Sequence, residues 1–506
     1  MSLDAGPAVR ALQAWYGADS YASGTGLYSW DDPAAAEAEA GVNGSFFGVD
    51  NFKGKVIEAI GKLPDLEDTL RWWNSANAIT ALIDYMYISN DFTYLNVIGE
   101  TFDRAPHAYR PDLSKFENIV LGAAGTAAGL AALASAGNPV AIAAAALEAA
   151  VAAGPVAWNA SIVHNTNFLD NFYDDEGWWA LTWIKAYDLT RDQKYLNMAV
   201  TIFNDMAGGW DNTFGGGIYW GKDHKSQFGQ FPYKNAIANE LFIAVAARLY
   251  LRGAGGAPAF PGSNDASYKT WAVNGADWFI NSGLIRTEES PQTPGNFPGA
   301  PFLVQDSLNS EGVNDGTTLG ADGKPTGAAF WTYNHGVILR AFNDVSIITG
   351  DPHYRDRAEL IAVAAIQFFS DANGILTEVW CDPTCDVGAC QFKGVFIRNL
   401  AALFANVHTS QYSTFIINNA NSVLANGNAS SQFGCRWSSP PDGVDFVRQT
   451  AAIDAINAAN RVLMAEAPIS LKNTLALVGQ TPPTSVRQAI GGLTPSVRAW
   501  VAAVTT

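Results

Sequence analysis

The chain repeats a helical hairpin. Trp73-Asn74-Ser75-Ala76-Asn77-Ala78 opens a run of helical periodicity that reaches Tyr85-Met86, and Asn90-Asp91-Phe92-Thr93-Tyr94-Leu95 turns it into a second run through Phe102. Gly177-Trp178-Trp179-Ala180 opens the next unit, which runs to Tyr187, turns at Thr190-Arg191-Asp192-Gln193 and continues through Met206. A third starts at Asn235-Ala236, reaches Tyr250 and, after an insertion, is closed by Tyr268 to Ile280. A fourth runs from Tyr333-Asn334-His335-Gly336 to Ile348, turns at Thr349-Gly350-Asp351-Pro352 and ends near Phe369. A fifth runs from Phe392-Lys393-Gly394 to Ala405 and ends near Leu424. Each turn puts Gly, Asn, Asp or Pro where the first helix must stop and an aromatic where the second begins. Hairpins that cannot bury their apolar faces alone must stack on neighbours. Helices near Pro7–Tyr16 and Gln449–Met464 supply a sixth unit, so the expectation is an all-α toroid of six helical hairpins. An open solenoid is the alternative, and matching units at both ends of the chain favour closure.

In such a ring the loops entering the inner helices converge on one face. At one entry stands Asn171-Phe172-Tyr173-Asp174-Asp175-Glu176-Gly177-Trp178-Trp179. Adjacent carboxylates among aromatics are costly, because like charges repel and apolar neighbours desolvate them. A solvated helix N-terminus would explain an isolated acidic triplet, since acids favour that end of the dipole. Glycosidic bond hydrolysis offers a functional reason, because it needs two carboxyl groups, and the flanking tryptophans offer flat faces to sugar rings.

Charge narrows the partner. With a formal net charge of −18, the 506-residue chain would repel nucleic acid or an acidic polysaccharide and suits a neutral ligand. The 16 Trp, 17 Tyr and 27 Phe exceed what a plain helical scaffold needs. The six His are scattered, so no metal site and no cofactor are expected. Cys381, Cys385, Cys390 and Cys435 lack the paired knuckles of common zinc sites. An even cysteine count beside the sequons at Asn43, Asn159 and Asn428 suggests two disulfides in an oxidising compartment. The opening Met1-Ser2-Leu3-Asp4-Ala5 has no signal-peptide pattern, and the expectation is an extracellular or cell-wall protein whose natural leader is missing from this sequence. The Ala-rich segment from about 119 to 156 is interrupted by Asn138-Pro139 and Gly154-Pro155 and contains Glu148. It reads as packed helices rather than a membrane span.

Several motifs together resemble glycoside hydrolase family 76, the endo-α-1,6-mannanases. They are Tyr-Asp-Asp-Glu-Gly-Trp-Trp-Ala-Leu at 173–181, Gly-Gly-Gly-Ile-Tyr-Trp at 215–220, Tyr-Lys-Asn-Ala-Ile-Ala-Asn-Glu-Leu-Phe at 233–242, Trp-Thr-Tyr-Asn-His-Gly at 331–336 and Phe-Lys-Gly at 392–394. The resemblance covers roughly residues 70 to 440 and implies an (α/α)6 barrel that hydrolyses α-1,6-mannan with retention. It assigns Asp174 as nucleophile and Asp175 as acid/base, and it marks Asp306 as a carboxylate that binds mannose hydroxyls, with a surface turn acid as the alternative. Trp178, Trp179, Tyr219, Trp220, Trp331 and Tyr333 are candidate sugar platforms, or core aromatics at helical spacing. Asn235 and Asn334 are candidates for binding hydroxyls or capping inner helices, and Lys393 for contacting substrate or pairing with an acidic rim. His335 stands where many members show Gln.

The expected organisation is one catalytic domain over residues 1–465 with an Ala-rich helical insertion at about 118–160, then a C-terminal extension over 466–506. The expected partner is α-1,6-linked mannan or manno-oligosaccharide, bound by a monomer with no transmembrane segment and no affinity for nucleic acid. A cell-wall transglycosylase of the same family is the alternative, and a non-catalytic mannan-binding toroid is a further one. The cysteine pairing is expected to be Cys381–Cys390 and Cys385–Cys435, one of three possible connectivities.

Overall fold

The computed structural model describes residues 3–16, 26–28, 72–107, 109–111, 162–164, 166–224, 232–286, 301–308, 330–382 and 385–466. The Ala-rich stretch expected as an insertion and the tail after 466 lie outside the described residues. The chain forms two compact units. One holds Met1–Ala14, Ala76–Ile98 and Leu169–Thr506, and the other holds Trp15–Ser75 and Gly99–Phe168. In the second unit β1 (Tyr109–Pro111) pairs antiparallel with β2 (Ile162–His164), and Trp72 stacks on Phe168.

The first unit carries the predicted hairpins. Helices α4 (Tyr173–Thr190) and α5 (Gln193–Gly208), α6 (Ala236–Leu251) and α7 (Tyr268–Asn281), α8 (Thr332–Thr349) and α9 (Pro352–Phe369), and α10 (Phe392–Val407) and α11 (Ser410–Asn426) are four consecutive pairs. Before them in the chain come α1 (Gly6–Leu12), α2 (Trp72–Ser89) and α3 (Leu95–Arg104), of which Trp72–Ser75 and Gly99–Arg104 belong to the second unit, and after them α12 (Phe446–Glu466). The turn chemistry follows the sequence only in part, because Arg191 and His408, and not Gly, Asn, Asp or Pro, stand at two of the helix ends. Arg191, Gly350 and His408 end α4, α8 and α10 in the left-handed region. Asp192 and Asp351 then cap α5 and α9 by accepting a backbone N–H two residues on.

Helices α4, α6, α8, α10 and α12 pack side by side as the inner wall. Hydrogen bonds to α2 close the ring. Thr182 of α4 donates to the Ala76 carbonyl (2.9 Å), and Asn457 of α12 donates to the Ala81 carbonyl (3.0 Å). Gln449 of α12 also donates to Ala8 O in α1 (2.8 Å), so α1 and α12 form the sixth pair. The fold is the all-α toroid of six hairpins. Inner helices are buried on nearly every side: every residue of α6 from Ala236 to Leu249 is buried. Such a helix shows no polar face in its sequence. Close approach between inner helices needs small residues. A Cβ at Gly336 in α8 would lie 2.6 Å from Phe396 Cα in α10.

Two disulfides are present, but the connectivity is Cys381–Cys385 and Cys390–Cys435, which corrects the expected pairing. The physical reason is local. Backbone N–H groups of Cys381 and Asp382 both turn back to Glu378 O, and this turn brings the Cys381 and Cys385 Cα atoms to 4.5 Å. Cys390 is then left in a buried 3₁₀ turn facing Cys435. Among the described residues no helix is long and apolar enough to cross a membrane.

Candidate active site

Asp174 and Asp175 occupy the first turn of α4. The backbone N–H of Asp175 donates to Asp174 Oδ1 (3.0 Å), and the Trp220 indole N–H donates to Asp174 Oδ2 (2.9 Å). Burial pushes the Asp174 carboxyl up to about 7 against these two donors, which favour its anion.

Trp220 is delivered by the glycine-rich loop. Gly217 has φ +79°, and a Cβ there would meet the Trp278 ring at 2.5 Å, so the loop folds this way only with glycine. Lys234 then pins it. Its ammonium is fully buried and donates to Asp211 Oδ1 (2.7 Å) and to the carbonyls of Thr213, Gly216 and Gly217 (2.8–2.9 Å). The Tyr173 N–H closes the loop on Trp220 O (2.8 Å), and Phe172 packs 4.5 Å from the Trp220 ring. Behind the pair, buried Glu176 is held by Lys222 (2.7 Å) and by the N–H of Asp170 (2.9 Å).

Opposite stands Asp306. Strand β3 (Lys234–Asn235) pairs with β4 (Ser307–Leu308), so Asp306 meets the entrance of α6, where its carbonyl accepts from Ala236 N (2.7 Å). Asn334 of α8 donates to Asp306 Oδ1 (3.0 Å). Burial raises the Asp306 carboxyl to about 6, with Asn334 opposing. His335, fully buried, accepts from Val304 N (2.9 Å) and meets Trp331 O (2.8 Å), which fixes the segment carrying Asp306. The phenols of Tyr233 and Tyr333 are driven upward by burial first and then by the charges of Asp306 and Asp174, so both lie within electrostatic reach of these carboxylates.

Asp174, Asp306, Trp220, Tyr333 and Asn334 therefore come together. Trp331 is part-exposed and packs edge-on to Phe392 at 5.5 Å. Other candidates lie elsewhere. Trp179 is fully buried and stacks on Trp183 at 5.4 Å, so its faces are core. Trp178 lies beneath Arg398, one turn deeper in the barrel. Tyr219 is buried, stacked on His224 and bonded to Asp211. Asn235 caps α6 through Ala238 N (3.3 Å). Lys393 is fully buried, donating to Cys435 O (2.6 Å) and Asp382 (3.3 Å), so it braces the disulfide loop.

The sequence reading missed two members of this cluster. Tyr233 opens a motif that was quoted, yet the aromatic at its first position was not selected. Glu240 is a lone acid inside an apolar helix, where burial and Asp306 hold its carboxyl far above the ordinary range. An isolated Glu in the run Ala-Asn-Glu-Leu-Phe was the available signal.

A six-hairpin helical toroid with desolvated carboxylates and aromatics at the inner-helix entrances defines the class of this protein. The chain belongs to Glycosyl hydrolase family 76, whose family model matches residues 152–294 and 302–473, well over half of its length. Among curated proteins it is similar to the mannan endo-1,6-alpha-mannosidase DCW1 of Eremothecium gossypii, 24% identical over 352 residues, covering 68% of this chain and 59% of the relative. The Candida glabrata protein of the same name is 28% identical over 238 residues, covering 45% of this chain and 46% of the relative. The chain thus spans less than two thirds of the curated relatives it matches. Its fold matches the α-1,6-mannanase GH76A of Salegentibacter sp. HEL1_6, solved with α-1,6-mannotriose as a variant made inactive by changing two consecutive aspartates to asparagine. That match has TM-score 0.57 and 19% identity, covering 91% of this chain and all of the other. Dfg5 from Chaetomium thermophilum, solved with glucosamine, aligns with TM-score 0.56 and 16% identity over 91% of this chain and 90% of the other.

Proposed function

We propose that this chain is a retaining endo-α-1,6-mannanase acting as a monomer outside the cell or in a cell wall. The observation that carries the reading is the consecutive pair Asp174–Asp175 at an inner-helix entrance, the first of them desolvated and hydrogen-bonded by Trp220. The relatives named as mannan endo-1,6-alpha-mannosidases support the substrate. The mannanase inactivated at two consecutive aspartates supports the residues.

In this reading Asp174 attacks the anomeric carbon as the bond to the leaving sugar breaks, and Asp175 gives its proton to the leaving oxygen. Asp175 then takes a proton from water, whose oxygen attacks the same carbon and releases Asp174. The donors on Asp174 are acceptor-seeking N–H groups, which suits an anion and therefore a nucleophile. Asp306, Asn334 and the Tyr333 phenol offer hydroxyl contacts, while Trp220 and Trp331 offer ring faces. The test is proton NMR of the first product from α-1,6-mannan, which should be the α-anomer. An initial β-anomer would refute retention. Transfer to an added sugar in preference to water would assign the chain to transglycosylation.

A further inference from the structure

The inner ring has a second polar centre, whose wall begins at Trp178, one turn below Asp174, and whose basic residues lie deeper along the inner helices. The inner helices run in parallel register, because Lys185 of α4 and Arg461 of α12 both meet Asp84 of α2. Lys185 is eleven residues along α4 from Asp174, roughly 16 Å at 1.5 Å per residue. At this depth lies a cavity of about 120 Å³, room for about four water molecules at roughly 30 Å³ each.

Its walls are cationic. Arg248 and Arg340 share Asp344 (3.1 and 2.8 Å). Arg252 and Arg191 share Asp188, the latter only at 3.9 Å. Arg398 meets Asp454 at 2.9 Å. Among the described residues, seven basic side chains thus line the cavity and four carboxylates neutralise them, in a chain whose overall charge is strongly negative. Arg340 meets its carboxylate through Nε and Arg461 through Nη2. A guanidinium carries five N–H donors, so each keeps donors for a further acceptor. The side chains of Lys185, Arg340 and Arg461 retain 22–32% exposure, so solvent reaches them. Burial pulls Lys185 down to about 7, Asp84 opposes this, and Arg461 and Arg398 add to the fall.

Basic groups at helix C-termini often serve the helix dipoles, but that effect fades within the last turn. Arg252 does serve this way, donating to Arg248 O at 2.8 Å. Arg340 and Arg398 instead lie nine residues before the ends of α8 and α10, and Lys185 and Arg461 lie five before the ends of α4 and α12. Dipole compensation therefore leaves these four unexplained.

We propose that this cavity binds a small multiply charged oxyanion of the phosphate type, free or as a sugar phosphate, at a site separate from Asp174. The forked donors of Arg340 and Arg461 suit bidentate contact with such an oxyanion.

The experiment is calorimetric and thermal titration of the full chain with inorganic phosphate, glucose 6-phosphate and glucose, against sodium chloride at matched ionic strength. Saturable binding of phosphate or its ester, absent with glucose, is expected. Arg340→Gln and Arg461→Gln should each weaken it about tenfold, the loss of one charge-assisted contact, and Asp174→Asn should leave it unchanged. Tighter binding of the ester than of phosphate would identify a phosphorylated ligand, and equal binding the free anion. Should Arg340→Gln fail to fold, Arg191→Gln, whose ion pair is loose, takes its place. A response equalled by chloride, or affinity unchanged in these variants, would overturn the proposal. Because Asp174→Asn retains this site, its failure is separable from failure of the mannanase reading.

Discussion

Asp174 is held between opposing demands. Burial disfavours its charge, while the indole of Trp220 and the Asp175 amide favour it. Its folded-state pKa, about 7, lies above the unfolded value near 3.9. Between those values the unfolded chain binds fewer protons, so this group's contribution to stability falls as pH rises. Asp174→Asn should therefore stabilise the fold at pH 7 by about 1–2 kcal/mol after allowance for solvent screening, and so raise the melting temperature. The same change, like Asp175→Asn, should lower turnover at least ~10²-fold. Calorimetry and initial rates on one preparation check both, and a variant that keeps activity would remove the residue from the mechanism. The pH profile tests the division of roles. If Asp174 attacks, kcat/KM should fall toward acid with an apparent pKa near 7, and Trp220→Phe should move that limb upward by removing a donor to the anion. An alkaline limb near 7 with no acidic one would make Asp174 the proton donor.

The elements position these residues through loops pinned by buried ions. Lys234 ties the glycine loop that presents Trp220, and Lys393 ties the loop between the two disulfides. The disulfides should differ in weight. The Cys390–Cys435 bridge spans 45 residues and Cys381–Cys385 only 4. Chain-entropy reasoning gives about 4 kcal/mol for the first and about 2 kcal/mol for the second. Denaturant titration of the paired Cys→Ala variants should show that order. A larger loss from the Cys381/Cys385 pair would show that the short bridge stabilises the folded loop itself.

At the scale of the whole molecule, net charge −18 and aromatic platforms suit a neutral polymer held by stacking and hydroxyl contacts. Binding of α-1,6-manno-oligosaccharides should thus change little between low and moderate salt, since few ion pairs would be screened. Cleavage should fall inside the chain and need several consecutive mannoses. A ladder of α-1,6-manno-oligosaccharides, with β-mannan as control, decides this: release of mannose alone from chain ends, or equal activity on β-mannan, would contradict it.

The hairpin count, the turns and the Asp174–Asp175 entry were legible in the sequence, because helix periodicity and capping are local and the turn residues Gly350, Asp351 and Pro352 carry their backbone preferences with them. The grouping of Asp174 with Asp306 was not legible from spacing, since 132 residues separate them and only the β3–β4 pairing and the ring bring them together. Nor could spacing tell a cleft aromatic from a core one: Trp179 and Trp220 are the same residue type in equally aromatic surroundings, and only packing decides which keeps a face to solvent. The cysteine connectivity belongs with these, because the turn at Glu378 selects one pairing among three by distance. The cationic cavity does too. Its basic residues are scattered from Lys185 to Arg461 and acquire a common purpose only when six helices run in register, because charges interact through space and not along the chain.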